Sequence, residues 1–319
     1  MRIAAFEHEG RRSLGIVEDE LCWRLPPEAD VLDLLAQAPE QRLRVAADAR
    51  RHGEPLALDS LHLLAPLRPT TLRDFVTFEQ HAEGVAKSLG PDATVAPEWY
   101  EAPFFYFSNT NTIHDPGADV AVPPGCRLLD FELEVAAVIG RRGSDLTPRE
   151  ARDHIAAYTI FNDVSARDHG AREARLGLGM CKAKDFANVL GPWLVTADEL
   201  EQYRRRDRLD LELVATVNDR ENGRDTTASM AWSFDEIVAY ASRGSVVAPG
   251  DVLGSGTCGG GCLAELWGRN GRLDPPPLVP GDVVTLSVQG IGTLSNRIVA
   301  GVEPIEIPAA RPRTVPTSA

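Results

Sequence analysis

The run from Leu129 to Gly140, LDFELEVAAVIG, is apolar almost throughout and carries two glutamates two positions apart, Glu132 and Glu134. It predicts a β-strand with Glu132 and Glu134 on one face and Phe131, Leu133 and Val135 on the other. An isolated E-x-E pair usually faces solvent from a half-exposed strand. Buried together, the two charges would need a cation or protons to compensate them. Upstream, the pattern predicts strands at RIAAFE, LGIVE and LCWRL, a helix over 31–51 and a strand at LHLLAPL. Thr71 to Gly90 predicts one helix, which places Asp74 and His81 at i and i+7 on a similar face. Residues 91–128 read as loops around a short strand, FFYFS. Pro148 opens a short helix, IAAYTIFN is an apolar strand ending at Asp163, and another short helix follows Ser165. KAKDFANVLGPW reads as a loop entering the strand WLVT. The remainder alternates strands (LDLELVATV, DVLGSG, DVVTLSVQ, IGTLSNRIVA) with one helix at 233–242. The whole is an α+β, β-rich chain. It divides into a small N-terminal α+β domain at 1–66, a larger domain at 67–307 and a disordered tail at 308–319.

Composition narrows the classes. With 319 residues, 43% hydrophobic and 25% charged, the chain is long enough for a sizeable core and reads as an ordinary globular protein. No apolar run reaches the length of a membrane span, and MRIAAFEHEG contains no apolar signal segment. A net charge of −14 argues against nucleic-acid or anionic-membrane partners, both of which need basic surfaces. The five cysteines are scattered apart from Cys258 and Cys262, and no second ligand pair stands at metal spacing. Free thiols in a reducing cytoplasm are expected.

Asp74, Glu132, Glu134 and Asp163 together would make a hard-oxygen site for Mg²⁺, Ca²⁺ or Mn²⁺, poorly suited to zinc. His81 is a candidate general base, with Glu265 in GCLAELWG as the acid that orients it. Arg167, Arg172, Lys182 and Lys184 bring positive charge to balance the site or hold a substrate carboxylate. Taken singly, an aspartate at a strand end more often caps a turn, a histidine packs a helix and a cation lies solvated. Ser255 and Thr257 lie in GSGTCGGGC, whose backbone N–H groups could meet an anion. The chain contains no Walker loop, no G-x-S-x-G elbow, no H-E-x-x-H and no dinucleotide fingerprint.

Four runs, LDFELEVAAVIG, FNDVSARD, KAKDFANVLGPW and GSGTCGGGCLAEL, in this order and spacing, resemble the fumarylacetoacetate hydrolase family from about residue 70 to 300. The resemblance implies a mixed β-sandwich roll behind a small N-terminal module, a carboxylate-held divalent metal (usually Mg²⁺ or Ca²⁺) and a homodimer. It implies Glu132, Glu134 and Asp163 as metal ligands, with Asp74 as the fourth ligand of true fumarylacetoacetases. His81 then matches their catalytic histidine and Glu265 its partner, while Arg167 and Lys184 match the groups that stabilise the oxyanion and the leaving carbanion. Tyr106 and Thr257 match substrate contacts. Val76, Gly170, Ala174 and Asn188 stand where those enzymes carry tyrosine, glutamine, tyrosine and threonine, so the substrate is expected to differ. The expected activity is metal-dependent hydrolysis of a C–C bond in a small anionic β-diketo or acylpyruvate-type acid. Decarboxylation, hydration or isomerisation of 2-oxo acids on the same scaffold, and metal binding without catalysis, are the alternatives.

Overall fold

A computed structural model describes residues 1–311 except Leu89, Pro91 and Leu178. Its principal strands are β1 (Arg2–His8), β2 (Arg11–Glu18), β3 (Leu21–Arg24), β4 (Pro55–Ala57), β5 (Leu72–Phe75), β6 (Phe105–Ser108) and β7 (Leu133–Ile139). They continue with β8 (Ile155–Asp163), β9 (Asn188–Thr196), β10 (Glu212–Val217), β11 (Arg220–Thr226), β12 (Val252–Gly254), β13 (Val283–Val288) and β14 (Gly292–Val299). The principal helices are α1 (Val31–Ala36), α2 (Pro39–His52), α3 (Glu79–Lys87), α4 (Pro148–Arg152), α5 (Arg167–Glu173), α6 (Phe234–Ser242) and α7 (Leu263–Asn270). This is an α+β, β-rich architecture.

A twelve-stranded sheet has ten strands on the path β4-β3-β2-β1-β9-β8-β7-β12-β5-β6, with His62–Leu64 paired to β1 and Ile113–His114 to β9 beside it, and a five-stranded sheet runs β11-β10-β13-β14 to Val120–Ala121. At the centre of the large sheet, every residue of β7 and β8 is buried. Both faces are covered, so these strands read as continuous apolar runs without alternation. Leu133, Val135, Ala137 and Ile139 enter the main core, whereas Ala136 and Val138 enter a second one. Ile3, Leu14, Leu34, Leu35 and Ala46 meet Ala136, Phe161 and Leu190 in that second core. The β1–β9 pairing sets Ile3 opposite Leu194. The segment before residue 67 therefore shares a sheet and a core with the larger C-terminal part of the chain.

Several expectations are corrected. Thr71–Gly90 is not one helix: Leu72–Phe75 is strand, and helix begins only at Glu79. Parallel pairing with β12 sets Asp74 beside Gly254, and antiparallel pairing with β6 sets it beside Tyr106. Those distant partners outweigh the local helical pattern, so Asp74 and His81 sit on different elements. The long strand is broken, with Leu129–Asp130 in a separate two-stranded sheet and β7 starting at Leu133. Of the two settings open to the glutamates, the buried one holds: Glu132 is 3% exposed and Glu134 0%. The helix over 31–51 is split at Pro39, whose predecessor Ala38 takes the extended conformation that proline imposes. NVLGPW is strand already, and α7 adds a second helix to the C-terminal third. Residues 308–311 of the expected tail are exposed without regular structure, and 312–319 lie outside the described residues.

Candidate metal centre

Four carboxylates converge where β5, β7, β8 and the residue before β7 meet. One oxygen from each of Asp74, Glu132, Glu134 and Asp163 lies within 4.8 Å of the others, and all four residues are buried. Gly254 makes the approach possible. A Cβ there would stand 2.5 Å from Asp74 Oδ1 and 2.7 Å from Glu134 Oε2, so β12 passes between them only as glycine.

The outer oxygens are held by the chain. Tyr106 donates its hydroxyl to Asp74 Oδ2 at 2.6 Å and also contacts Asp163 Oδ2. Lys184 Nζ donates to Asp163 Oδ2 at 2.6 Å and to Glu132 Oε2. Arg167 donates to Glu132 Oε1 at 2.7 Å, and the N–H of Gly256 donates to Glu134 Oε2 at 3.0 Å. Asp74 Oδ1, Glu134 Oε1 and Asp163 Oδ1 are buried with no hydrogen-bond partner. Three buried acceptors left unpaired are costly unless a cation meets them. Against these four carboxylates stand two cations, Lys184 and Arg167, and Arg167 is shared with a fifth buried carboxylate, Asp130, so the cluster keeps a net negative charge that a divalent ion would offset. An all-oxygen donor set suits Mg²⁺, Ca²⁺ or Mn²⁺.

The titration behaviour follows the same imbalance. Burial, then the neighbouring carboxylates, pushes Glu134 well above the usual carboxylate range. Asp163 is likewise pushed well up by burial, although Lys184 opposes it, and burial also raises Asp74. Glu132 is the exception. Burial pushes it up too, but Arg167 and Lys184 outweigh burial and hold it below the ordinary range.

Beside this cluster stands His81, 8% exposed on α3, with Nε2 3.8 Å from Glu132 Oε1. Burial lowers it to about 4, so the imidazole is neutral at neutral pH and its nitrogen is free to accept a proton. Glu265 Oε2 lies 3.9 Å from His81 Nδ1, beyond hydrogen-bond length, and Cys262 Sγ is nearer at 3.5 Å. Glycines bring the helices together: a Cβ on Gly84 would strike Glu265, and one on Gly268 would meet the Gly84 carbonyl at 1.9 Å.

Thr257 is buried next to Gly256 in the loop after β12. That loop does meet anions, but they are the protein's own: Gly256, Gly259 and Gly260 donate to Glu134, Asp225 and Glu265. Lys182 pairs with Asp185 at the surface, and Arg172 is exposed outside the cluster. Sequence reasoning misses Asp130. It is fully buried, accepts the N–H groups of Leu263 and Ala264 at the start of α7, and takes Arg167 Nε at 2.8 Å. Its signal is alternation, since Asp130, Glu132 and Glu134 form D-x-E-x-E.

The family described as "Fumarylacetoacetate (FAA) hydrolase C-terminal" matches residues 70–299. The chain belongs to the fumarylacetoacetate hydrolase family. Within it, the chain is 27% identical over 304 residues to the fumarylacetoacetase of Arabidopsis thaliana, covering 76% of this chain and 72% of that one. It is 28% identical over 243 residues to an oxaloacetate tautomerase of Bacillus subtilis, covering 76% and 74%. A maleylpyruvate hydrolase from Sphingobium sp. SYK-6, solved with manganese(II) and pyruvate, superposes with a TM-score of 0.70 at 20% identity. That superposition covers 95% of this chain and 100% of the other. Fumarylacetoacetate hydrolase family relatives thus include hydrolases and a tautomerase. Among the described residues no helix is long and apolar enough to cross a membrane.

Proposed function

We propose that this protein hydrolyses a C–C bond in a small acylpyruvate or β-diketo acid, with a divalent metal held by Asp74, Glu132, Glu134 and Asp163. The observation that carries the reading is the place of His81, buried with Nε2 3.8 Å from Glu132, one of those carboxylates, a burial that lowers its basicity. Mg²⁺, Ca²⁺ or Mn²⁺ bound there would act as a Lewis acid towards substrate oxygens and spread the negative charge of the breaking bond.

The protein's own groups do the rest. Neutral His81 accepts the proton of the attacking water, and Glu265 on the adjoining α7 stabilises the imidazolium that results. Lys184, buried and held charged by Asp163 and Glu132, keeps a proton beside the cluster to deliver to the departing carbon. Arg167, fixed between Asp130 and Glu132, faces the developing oxyanion. Tyr106 and Thr257 line the substrate. The manganese and pyruvate bound by the Sphingobium maleylpyruvate hydrolase support a 2-oxo acid as the ligand class. A homodimer in the cytoplasm belongs to the same proposal; the dimer alone finds support in the structure, in the unpaired edge of β6 where Phe107 is 63% exposed.

A tautomerase is the second reading, favoured by the Bacillus subtilis relative, and it needs only proton transfer. Acylpyruvates and oxaloacetate assayed with Mg²⁺ and with EDTA decide between them. The hydrolase reading expects metal-dependent release of pyruvate from an acylpyruvate. It also expects His81→Ala to abolish that release, a loss of at least about 10²-fold, while metal affinity stays within a few fold. Enol–keto interconversion of oxaloacetate without any C–C cleavage would install the second reading instead.

A further inference from the structure

We propose that His81, Cys262 and Glu265 form a second metal site, chemically distinct from the four carboxylates, for a borderline-soft divalent transition ion such as Zn²⁺. All three are buried, and their ligand atoms lie within 4.8 Å of one another. The central contact has the dimension of a shared ion. Tetrahedral zinc at its usual bond lengths holds a nitrogen and a sulfur ligand about 3.5 Å apart. His81 Nδ1 and Cys262 Sγ stand 3.5 Å apart. Glu265 Oε2 is 3.9 Å from the same nitrogen, and a shift of about half an ångström brings it to the spacing of a third ligand.

The donor set separates this site from the carboxylate cluster. Imidazole and thiolate are poor partners for Mg²⁺ or Ca²⁺ and good ones for zinc. Cys262 also fills a position that capping alone does not explain. It is the N-cap of α7, and its sulfur accepts from Glu265 N–H at 3.5 Å. That role normally falls to an oxygen from serine, threonine, aspartate or asparagine, and a thiol accepts only weakly. The outer contacts are those of a ligating carboxylate. Glu265 Oε1 takes Arg269 at 2.6 Å and Gln80 at 3.3 Å, while Oε2 takes the Gly260 N–H at 2.7 Å and keeps a lone pair. On binding, the ion replaces the thiol proton, which leaves to solvent.

The test is a Co²⁺ titration of the whole protein kept in excess Mg²⁺, read by absorption. Only a cysteine ligand gives the near-ultraviolet thiolate-to-cobalt band, so cobalt in the carboxylate cluster does not contribute. The wild type is expected to develop this band with the strong visible absorption of tetrahedral cobalt, and Zn²⁺ to bleach both. Cys262→Ser should lose the near-ultraviolet band, and His81→Ala should lose the tetrahedral spectrum. Cys181→Ser, at an exposed thiol, should leave both unchanged. Absence of the band in the wild type overturns the proposal, as does its survival in Cys262→Ser. If Cys262→Ser does not fold, an unaltered spectrum in His81→Ala is equally fatal. Inhibition by zinc rests further on the reading of His81 as base. A cobalt spectrum without zinc inhibition would keep the site and discard that base.

Discussion

Gly254 shows how a residue with no side chain fixes the metal chemistry. Asp74 and Glu134 approach each other across it, and both contacting oxygens are buried and cannot swing into solvent. Gly254→Ala forces these oxygens outward or shifts β12, an overpacking change that costs about 1–3 kcal/mol. The carboxylates, once displaced, no longer share one ion, so Mg²⁺ or Mn²⁺ affinity should fall by at least about tenfold, or 1.4 kcal/mol. Calorimetric titration reads this directly, and unchanged affinity in a folded Gly254→Ala protein would refute the assignment. At this scale the sequence revealed much. Asp163 at the end of an apolar strand and the paired glutamates are visible because a charge within an apolar run is conspicuous. Gly254 leaves no signal and Asp130 only its place in D-x-E-x-E, because their roles depend on what lies opposite: two carboxylates for one, the N-terminus of α7 for the other.

At the level of elements, the site depends on two helices packed closer than ordinary side chains permit. His81 rides on α3 and Glu265 on α7, and Gly84 and Gly268 meet between them. Gly268→Ala would press a methyl group into the Gly84 carbonyl, a backbone atom that cannot rotate away. The helices must separate, moving His81 relative to Glu132. We expect about 1–3 kcal/mol of destabilisation in urea unfolding. Activity should fall far more than this stability loss implies, with Mg²⁺ affinity preserved because none of its ligands is on α3 or α7. Equal losses of activity and metal affinity would contradict this division of labour. The same two elements mark where pattern reading stops. β7 and β8 are legible because strands buried on both faces are continuously apolar. β5 is not legible, since Leu72–Phe75 becomes strand by pairing with β6 on one side and with β12, some 180 positions along the chain, on the other. α7 is hidden by its brevity, a glycine-rich approach and a cysteine cap in place of the usual start signal.

For the molecule as a whole, the buried carboxylates couple metal, protons and stability. Glu134, Asp163 and Asp74 have raised values without an ion, so the folded protein holds protons there that the unfolded chain has already released. A group raised on folding stabilises below its unfolded value, and that contribution is lost as pH climbs through its folded value. Within the site, Glu132 and His81 act in the opposite sense, and both are exhausted early. Glu132, held low, stabilises fully above the ordinary carboxylate range. His81, lowered to about 4, adds stability with rising pH only up to the ordinary histidine value of about 6.5. The buried thiols Cys258 and Cys262 enter only near the ordinary cysteine value of about 8.5. From about pH 6.5 up to the ordinary cysteine value, then, the raised carboxyls are the groups of this site left to lose protons, and they lower stability as they do so. In EDTA the melting temperature should fall across this window. In saturating Mg²⁺ it should hold or rise, because the ion takes the place of those protons and binds more tightly as they leave. Melting curves at matched ionic strength provide the measurement. Parallel EDTA and Mg²⁺ profiles would mean that the four carboxylates do not share an ion, and the proposed hydrolysis would lose its metal.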